Sequence, residues 1–120
     1  MFRRKVMRVS KDEGLSLLAL THLGTAVSEI GRNALRYGLN AQATITVGTY
    51  DGRRAIEVDI FDEGPGIANI EAAMVDGFST KKSMGKGLGG ARRLVDTFSI
   101  ETTPTGTRVV MIQFIRNARA

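Results

Sequence analysis

Residues 43–61 constrain the fold more than any other stretch of the chain. Residues 43–50 (ATITVGTY) are rich in β-branched side chains, and residues 54–61 alternate Ile56, Val58 and Ile60 with other residues. Between the two runs stands Asp51-Gly52, a pair that accepts the left-handed backbone of a tight two-residue turn. Two adjacent antiparallel strands follow, the second with one face committed to a core. A chain of 120 residues can bury one core of that kind with little room for another, so a single domain over 1–120 is expected.

The flanking segments have a helical period instead. Phe2, Val6 and Val9 share one face, and Gly14 suits the left-handed position that closes a helix. Ser16 can cap a longer helix to about Tyr37, with Leu23, Ala26, Val27, Ile30, Ala34 and Tyr37 as its apolar stripe and Gly38 as its stop. After the hairpin, Asp62-Glu63-Gly64-Pro65-Gly66 fits no regular element. A short helix over 69–75, a glycine- and lysine-rich stretch over 76–87 and a further helix through Leu88 and Ala91 follow. Two last strands, near 98–102 and 107–115, are parted by Pro104-Thr105-Gly106. The expected class is α+β: a two-layer α/β sandwich, its mostly antiparallel sheet covered by helices on one face.

Composition removes several classes of function. The chain has no cysteine and one histidine, His22, so disulfide frameworks, thiolate–metal sites and zinc centres lack ligands. No run approaches the roughly 20 apolar residues of a membrane span, and no apolar stretch follows the basic N-terminus as a secretion signal requires. A cytoplasmic protein with no membrane partner is expected. The formal charge of +5 is local: Arg3, Arg4, Lys5, Arg8 and Lys11 stand in residues 1–11 without an acid, and the remaining 12 basic residues balance 12 acidic ones. Arg4, Arg8 and Lys11 share a helix face. A solvated face is the ordinary explanation, and binding of an acidic partner or a nucleic acid is the other. Against the nucleic acid stand the neutral remainder and the lack of aromatic residues among the cations.

Three groups of residues carry chemistry. Glu29 and Asn33 lie one turn apart on the long helix, pointing the same way. A carboxylate there can take a proton from an attacking hydroxyl, and the amide oxygen can ligate Mg²⁺. Polar pairs at this spacing more often face solvent. Asp62-Glu63-Gly64-Pro65-Gly66 follows a strand directly, so its backbone can approach a planar ligand while Asp62 offers an acceptor; a plain turn is the alternative. Gly85-Lys86-Gly87-Leu88-Gly89-Gly90 opens a helix, where exposed N–H groups suit phosphate, with Lys81 and Lys82 nearby. It is no Walker A loop, since no Lys-Ser/Thr ends it, and its place in the chain disfavours a dinucleotide fold.

Order and spacing lift the three above their separate alternatives. Together they resemble the GHKL (Bergerat-fold) ATPase superfamily, and within it the bacterial anti-sigma-factor serine/threonine kinases, especially the RsbT-type switch kinases. The resemblance runs through Ser28-Glu29-Ile30-Gly31-Arg32-Asn33, Asp62–Ile67, Asp76–Thr80, Gly85-x-Gly87-Leu88-Gly89 and Gly106-Thr107.

The resemblance implies an ATP site: Glu29 as catalytic base, Asn33 as Mg²⁺ ligand, and Asp62 on the adenine amino group between Gly64 and Gly66. Gly85, Lys86, Gly87, Leu88 and Gly89 would lie along the phosphates, and Thr107 would support the adenine end. It implies γ-phosphoryl transfer to a serine or threonine of a STAS-type antagonist, with a sigma factor or phosphatase as alternate partner. A homodimer is a further association that the sequence allows, and the oligomeric state stays open. An ATP-dependent regulatory binding module with little transfer is the competing function. Members of the family ordinarily open with a strand. This sequence opens on the helix, so a sheet one strand short, with an unpaired edge or an uncovered core flank, is expected.

Overall fold

A computed structural model describes residues 2–37, 39–65 and 82–116. In chain order its elements are α1 (Phe2–Asp12), α2 (Leu17–Tyr37), β1 (Gln42–Tyr50), β2 (Arg53–Asp62), α3 (Lys82–Leu94), β3 (Thr97–Thr103) and β4 (Gly106–Phe114).

Local chemistry sets the helix ends. Leu15 N donates to Ser10 O at 2.9 Å and Gly14 N to Lys11 O at 3.1 Å, the paired bonds of a Schellman ending, with Gly14 at φ 96°. Two residues on, Ser16 Oγ accepts from Ala19 N at 3.1 Å and caps α2. The chain therefore turns from one helix into the next within four residues, and α1 packs along α2.

The hairpin forms as its sequence requires. Tyr50 pairs with Arg53, and Asp51 and Gly52 both have positive φ, 53° and 76°, as a type I′ turn demands. The four strands run in the order β1-β2-β4-β3, every neighbour antiparallel. No strand precedes α1 among the described residues, and β1 lies at the sheet edge.

The core lies between helices and sheet. Leu23, Ala26, Val27, Ile30 and Ala34 of α2 meet Ile56, Val58 and Ile60 of β2 and Val109 and Met111 of β4, with Val6, Leu88 and Ala91 closing the sides. Each fully buried Leu, Ile or Val side chain contributes about 1.5–3 kcal/mol relative to exposure. Ser10, Asp62 and Gln113 are the polar residues buried among the described ones, and Gln113, 4 % exposed, ties three elements together. Its amide nitrogen donates to Ala19 O and Leu94 O, each at 3.2 Å, and its oxygen accepts from Asp96 N at 2.8 Å. That side chain fixes the end of α3 to α2 and β4.

One boundary departs from the sequence expectation. The glycine run 85–90 is predicted to precede a helix, whereas α3 begins at Lys82 and carries those glycines within it. Buried Leu88 and Ala91 anchor the segment on the core, and glycine accepts right-handed helical angles, so nothing forbids the earlier start. The helix expected over 69–75 lies outside the described residues.

Candidate functional site

Two structures frame one end of the molecule: the end of the sheet at β2 and β4, and the C-terminal half of α2. At the sheet end, Asp62 is the last residue of β2 and is 7 % exposed. Its Oδ1 accepts from Gly64 N at 2.8 Å, an Asx turn that folds the chain back at once. One carboxylate oxygen is thereby committed to holding the turn, and Gly64 is buried behind it.

Asp62 stands opposite Thr107 in the ladder. Thr107 Oγ1 shares a hydrogen bond of 2.9 Å with Thr102 Oγ1 on β3, so three strands are joined around the carboxylate. The neighbouring Gly106 is a matter of space: a Cβ there would lie 2.5 Å from the Asp62 carbonyl oxygen. From the other side, Asn40 Nδ2 donates to Glu63 Oε1 at 2.9 Å, and Glu63 N donates to Leu39 O at 2.7 Å. Asn40 has φ 51°, a conformation asparagine tolerates better than most residues. These bonds tie the exit of α2 to the turn that carries Asp62.

On α2, Glu29 and Asn33 border the buried stripe, each next to a core residue, Ile30 and Ala34. Glu29 Oε1 accepts from Arg32 Nη1 at 3.0 Å, with both side chains partly in solvent, so the pair steers the carboxylate more than it stabilises the helix. Asn33 Nδ2 is buried and has no hydrogen-bond partner among the described residues. A buried amide without a partner carries a desolvation penalty of about 1–3 kcal/mol, which a ligand bonding to it would relieve.

The structure thus brings Asp62, Gly64 and Thr107 into one wall and sets Glu29 and Asn33 on one helix face. Gly85, Lys86, Gly87, Leu88 and Gly89 all lie in α3. Leu88 is 3 % exposed, so its side chain belongs to the core and only its backbone can serve a ligand. Gly66 lies outside the described residues. Asn40 is the residue that motif reasoning passes over, its only sequence signal an asparagine just after a helix; Arg32 and Gly106 stand within the motifs, which assign them no role.

Among the described residues no three His, Asp or Glu side chains converge as a metal cage would require. A divalent ion held here would draw its ligands from phosphate oxygens and from Asn33, the mode that suits Mg²⁺. The orphaned atom, Nδ2, is a donor that suits a phosphate oxygen, while ligation of the ion would fall to Asn33 Oδ1.

Comparison with known proteins bears on the family and the fold. The histidine kinase-like ATPase domain family matches residues 1–113. The serine/threonine-protein kinase RsbT of Bacillus subtilis (strain 168) is 35% identical over 109 residues, 90% of this chain and 82% of that protein. An anti-sigma F factor of Thermoanaerobacter sp. (strain X514) is 33% identical over 101 residues, 80% of this chain and 71% of its own length. Among solved structures, the Acinetobacter baumannii histidine kinase AdeS superposes with a TM-score of 0.58 at 15% identity, covering 82% of this chain and 48% of that one; that likeness is one of fold. The chain belongs to the histidine kinase-like (GHKL) ATPase domain family.

Proposed function

We propose that this protein is an ATP-dependent serine/threonine protein kinase of a partner-switching pathway. Its substrate is a STAS-type antagonist, and a sigma factor or a phosphatase is its alternate partner. The observation that carries this reading is the α2 face, where the Glu29 carboxylate lies one turn from Asn33, whose buried Nδ2 has no partner among the described residues. The likeness to RsbT and to an anti-sigma F factor supports it.

In this reading adenine sits against the sheet end, its amino group donating to Asp62, with Gly64 and Gly66 shaping the wall and Thr107 supporting it. Glu29 accepts the proton of the acceptor hydroxyl as that oxygen bonds to the γ-phosphorus and the bond to ADP breaks. Asn33 would hold Mg²⁺, which when bound neutralises charge on the phosphate oxygens. Gly85, Lys86, Gly87, Leu88 and Gly89 would meet the phosphates.

Within α3 those amides are engaged by the helix, so phosphate contact there requires the first turns to unwind. Each glycine lowers helix stability by about 1 kcal/mol relative to alanine, which keeps that unwinding inexpensive. No described helix is long and apolar enough to cross a membrane.

Incubation with labelled ATP and candidate STAS proteins tests the proposal. Phosphoserine or phosphothreonine on one of them is expected. Firm ATP binding with no phosphoprotein would favour a regulatory binding module, for which the engagement of Glu29 by Arg32 speaks.

A further inference from the structure

At the far end of α2 from Glu29 and Asn33 lies a groove of about 630 Å³ between the two N-terminal helices, lined by Met7, Arg8, Lys11, Leu15, Leu17 and Leu20. Its floor is apolar. Leu15 and Leu20 are buried, but Leu17 is 77% exposed, and its neighbour Leu18 is 67% exposed. Leu17 therefore extends the apolar floor of Met7, Leu15 and Leu20 out to the solvent.

The charged lining has one sign. Arg8 and Lys11 form the rim on α1, with Arg4 one turn before Arg8 on the same face, and all three are exposed. Arg4, Arg8 and Lys11 make no ion pair among the described residues. We infer that this groove docks an amphipathic helix of a protein partner, its apolar side on Met7, Leu15, Leu17 and Leu20 and its acidic flank along Arg4, Arg8 and Lys11.

Charge complementarity selects this occupant over others with a negative surface. An anionic membrane would take up a free apolar helix face. Most of the apolar side of α1 is instead spent on the protein core, with Val6 fully buried and Phe2 packed against it, which leaves Met7 alone of that side to line the groove. A nucleic acid would gain phosphate contacts from the rim but nothing from a leucine floor without an aromatic platform. An acidic amphipathic helix matches both floor and rim. Leu17 precedes Asn33 by roughly 24 Å along α2, so a partner held here leaves the proposed nucleotide site open. The inference goes beyond the phosphoryl-transfer reading and does not depend on it.

The test uses two fluorescein-labelled synthetic helices, each with leucine along one face and either glutamate or lysine along the other, titrated with the full chain. Binding of the glutamate helix, weakened by added salt, is expected. In R8E/K11E its affinity should fall roughly tenfold or more while the lysine helix gains affinity, and Leu17→Ser should weaken both pairings severalfold. Mg·ATP affinity, measured on the same samples, should stay within about twofold, which separates lost docking from lost folding. Equal binding of the two helices would overturn the inference, as would indifference to these substitutions. Tighter binding to phosphatidylglycerol vesicles or to duplex DNA would overturn it too.

Discussion

The sheet-end wall and the α2 face border the same site and are built in opposite ways. Around Asp62 nearly every polar group is already engaged: the carboxylate with Gly64 N, Glu63 with Asn40 and Leu39, Thr107 with Thr102. On α2, among the described residues, Asn33 Nδ2 is buried without a partner, and Glu29 is held only by a partly exposed arginine one turn away. A prebuilt wall selects a ligand by shape and by the acceptor it offers. Under the proposed function, groups left incomplete would be finished only when phosphate, metal and acceptor hydroxyl arrive. The difference teaches that recognition and chemistry are separable here, so substitutions on the two sides should fail in different ways.

The largest separation is expected at Glu29. Replacing it with Ala should lower phosphoryl transfer by roughly 10²–10⁴-fold, the range for loss of a general base, with ATP affinity changed less than about threefold. Single-turnover transfer and equilibrium nucleotide binding on the same preparation check both halves. A parallel fall in affinity would show that the α2 face also supports binding and that the contrast drawn above is wrong.

Asp62 should fail in the opposite sense. Asp62→Asn keeps an oxygen for Gly64 N, so the turn survives, but it turns an amide donor toward the adenine amino group. Affinity for ATP should drop about 10–100-fold, corresponding to about 1.5–3 kcal/mol for a hydrogen bond to a charged group, with the melting temperature of the free protein little changed. Single-turnover transfer at saturating ATP should stay near wild type. A large loss of that saturated rate would move Asp62 from recognition to chemistry.

Much of this contrast is legible in the residues themselves. Asp51-Gly52 announces the hairpin because only a left-handed pair joins two strands so tightly, and the stripe from Leu23 to Ala34 announces α2 because its spacing suits no strand. The Glu29–Asn33 pair follows once the helix is granted. What could not be read locally depends on contacts between distant segments. Asn40 meets Glu63 across 23 residues, and the need for glycine at 106 comes from the Asp62 carbonyl on another strand. The glycines at 85–90 misled for the converse reason: their local preference for a loop yields to burial of Leu88 and Ala91, which tertiary packing alone decides.

Gly106 probes how rigid the wall is. Gly106→Ala places a methyl group 2.5 Å from the Asp62 carbonyl oxygen, a backbone atom that cannot swing aside. Destabilisation of about 1–3 kcal/mol is expected, as for overpacking elsewhere, read as a lower denaturant midpoint at constant slope. Because the displaced strand carries Asp62, ATP affinity should fall as well, while the transfer rate at saturating ATP stays within a few-fold. An alanine accepted without loss of stability would mean that β2 and β4 separate easily, and the wall would no longer count as prebuilt.

The smallest effect is expected farthest from the site, where the helix face can be tested for independence from the helix that carries it. Ser16 caps α2 through Ala19 N, and roughly 26 Å of helix separates it from Asn33. Ser16→Ala should lower stability by about 1 kcal/mol, measured by denaturant unfolding. The core contacts of Leu23, Val27 and Ile30 lie between cap and site and hold the helix in place, so fraying of the first turn should not reach Glu29 or Asn33. Transfer rate and ATP affinity are therefore expected to match wild type at temperatures well below the melting transition. A drop in transfer alone would show that the α2 face depends on motions of the whole helix, a dependence to which the hydrogen-bonded wall around Asp62 would be immune.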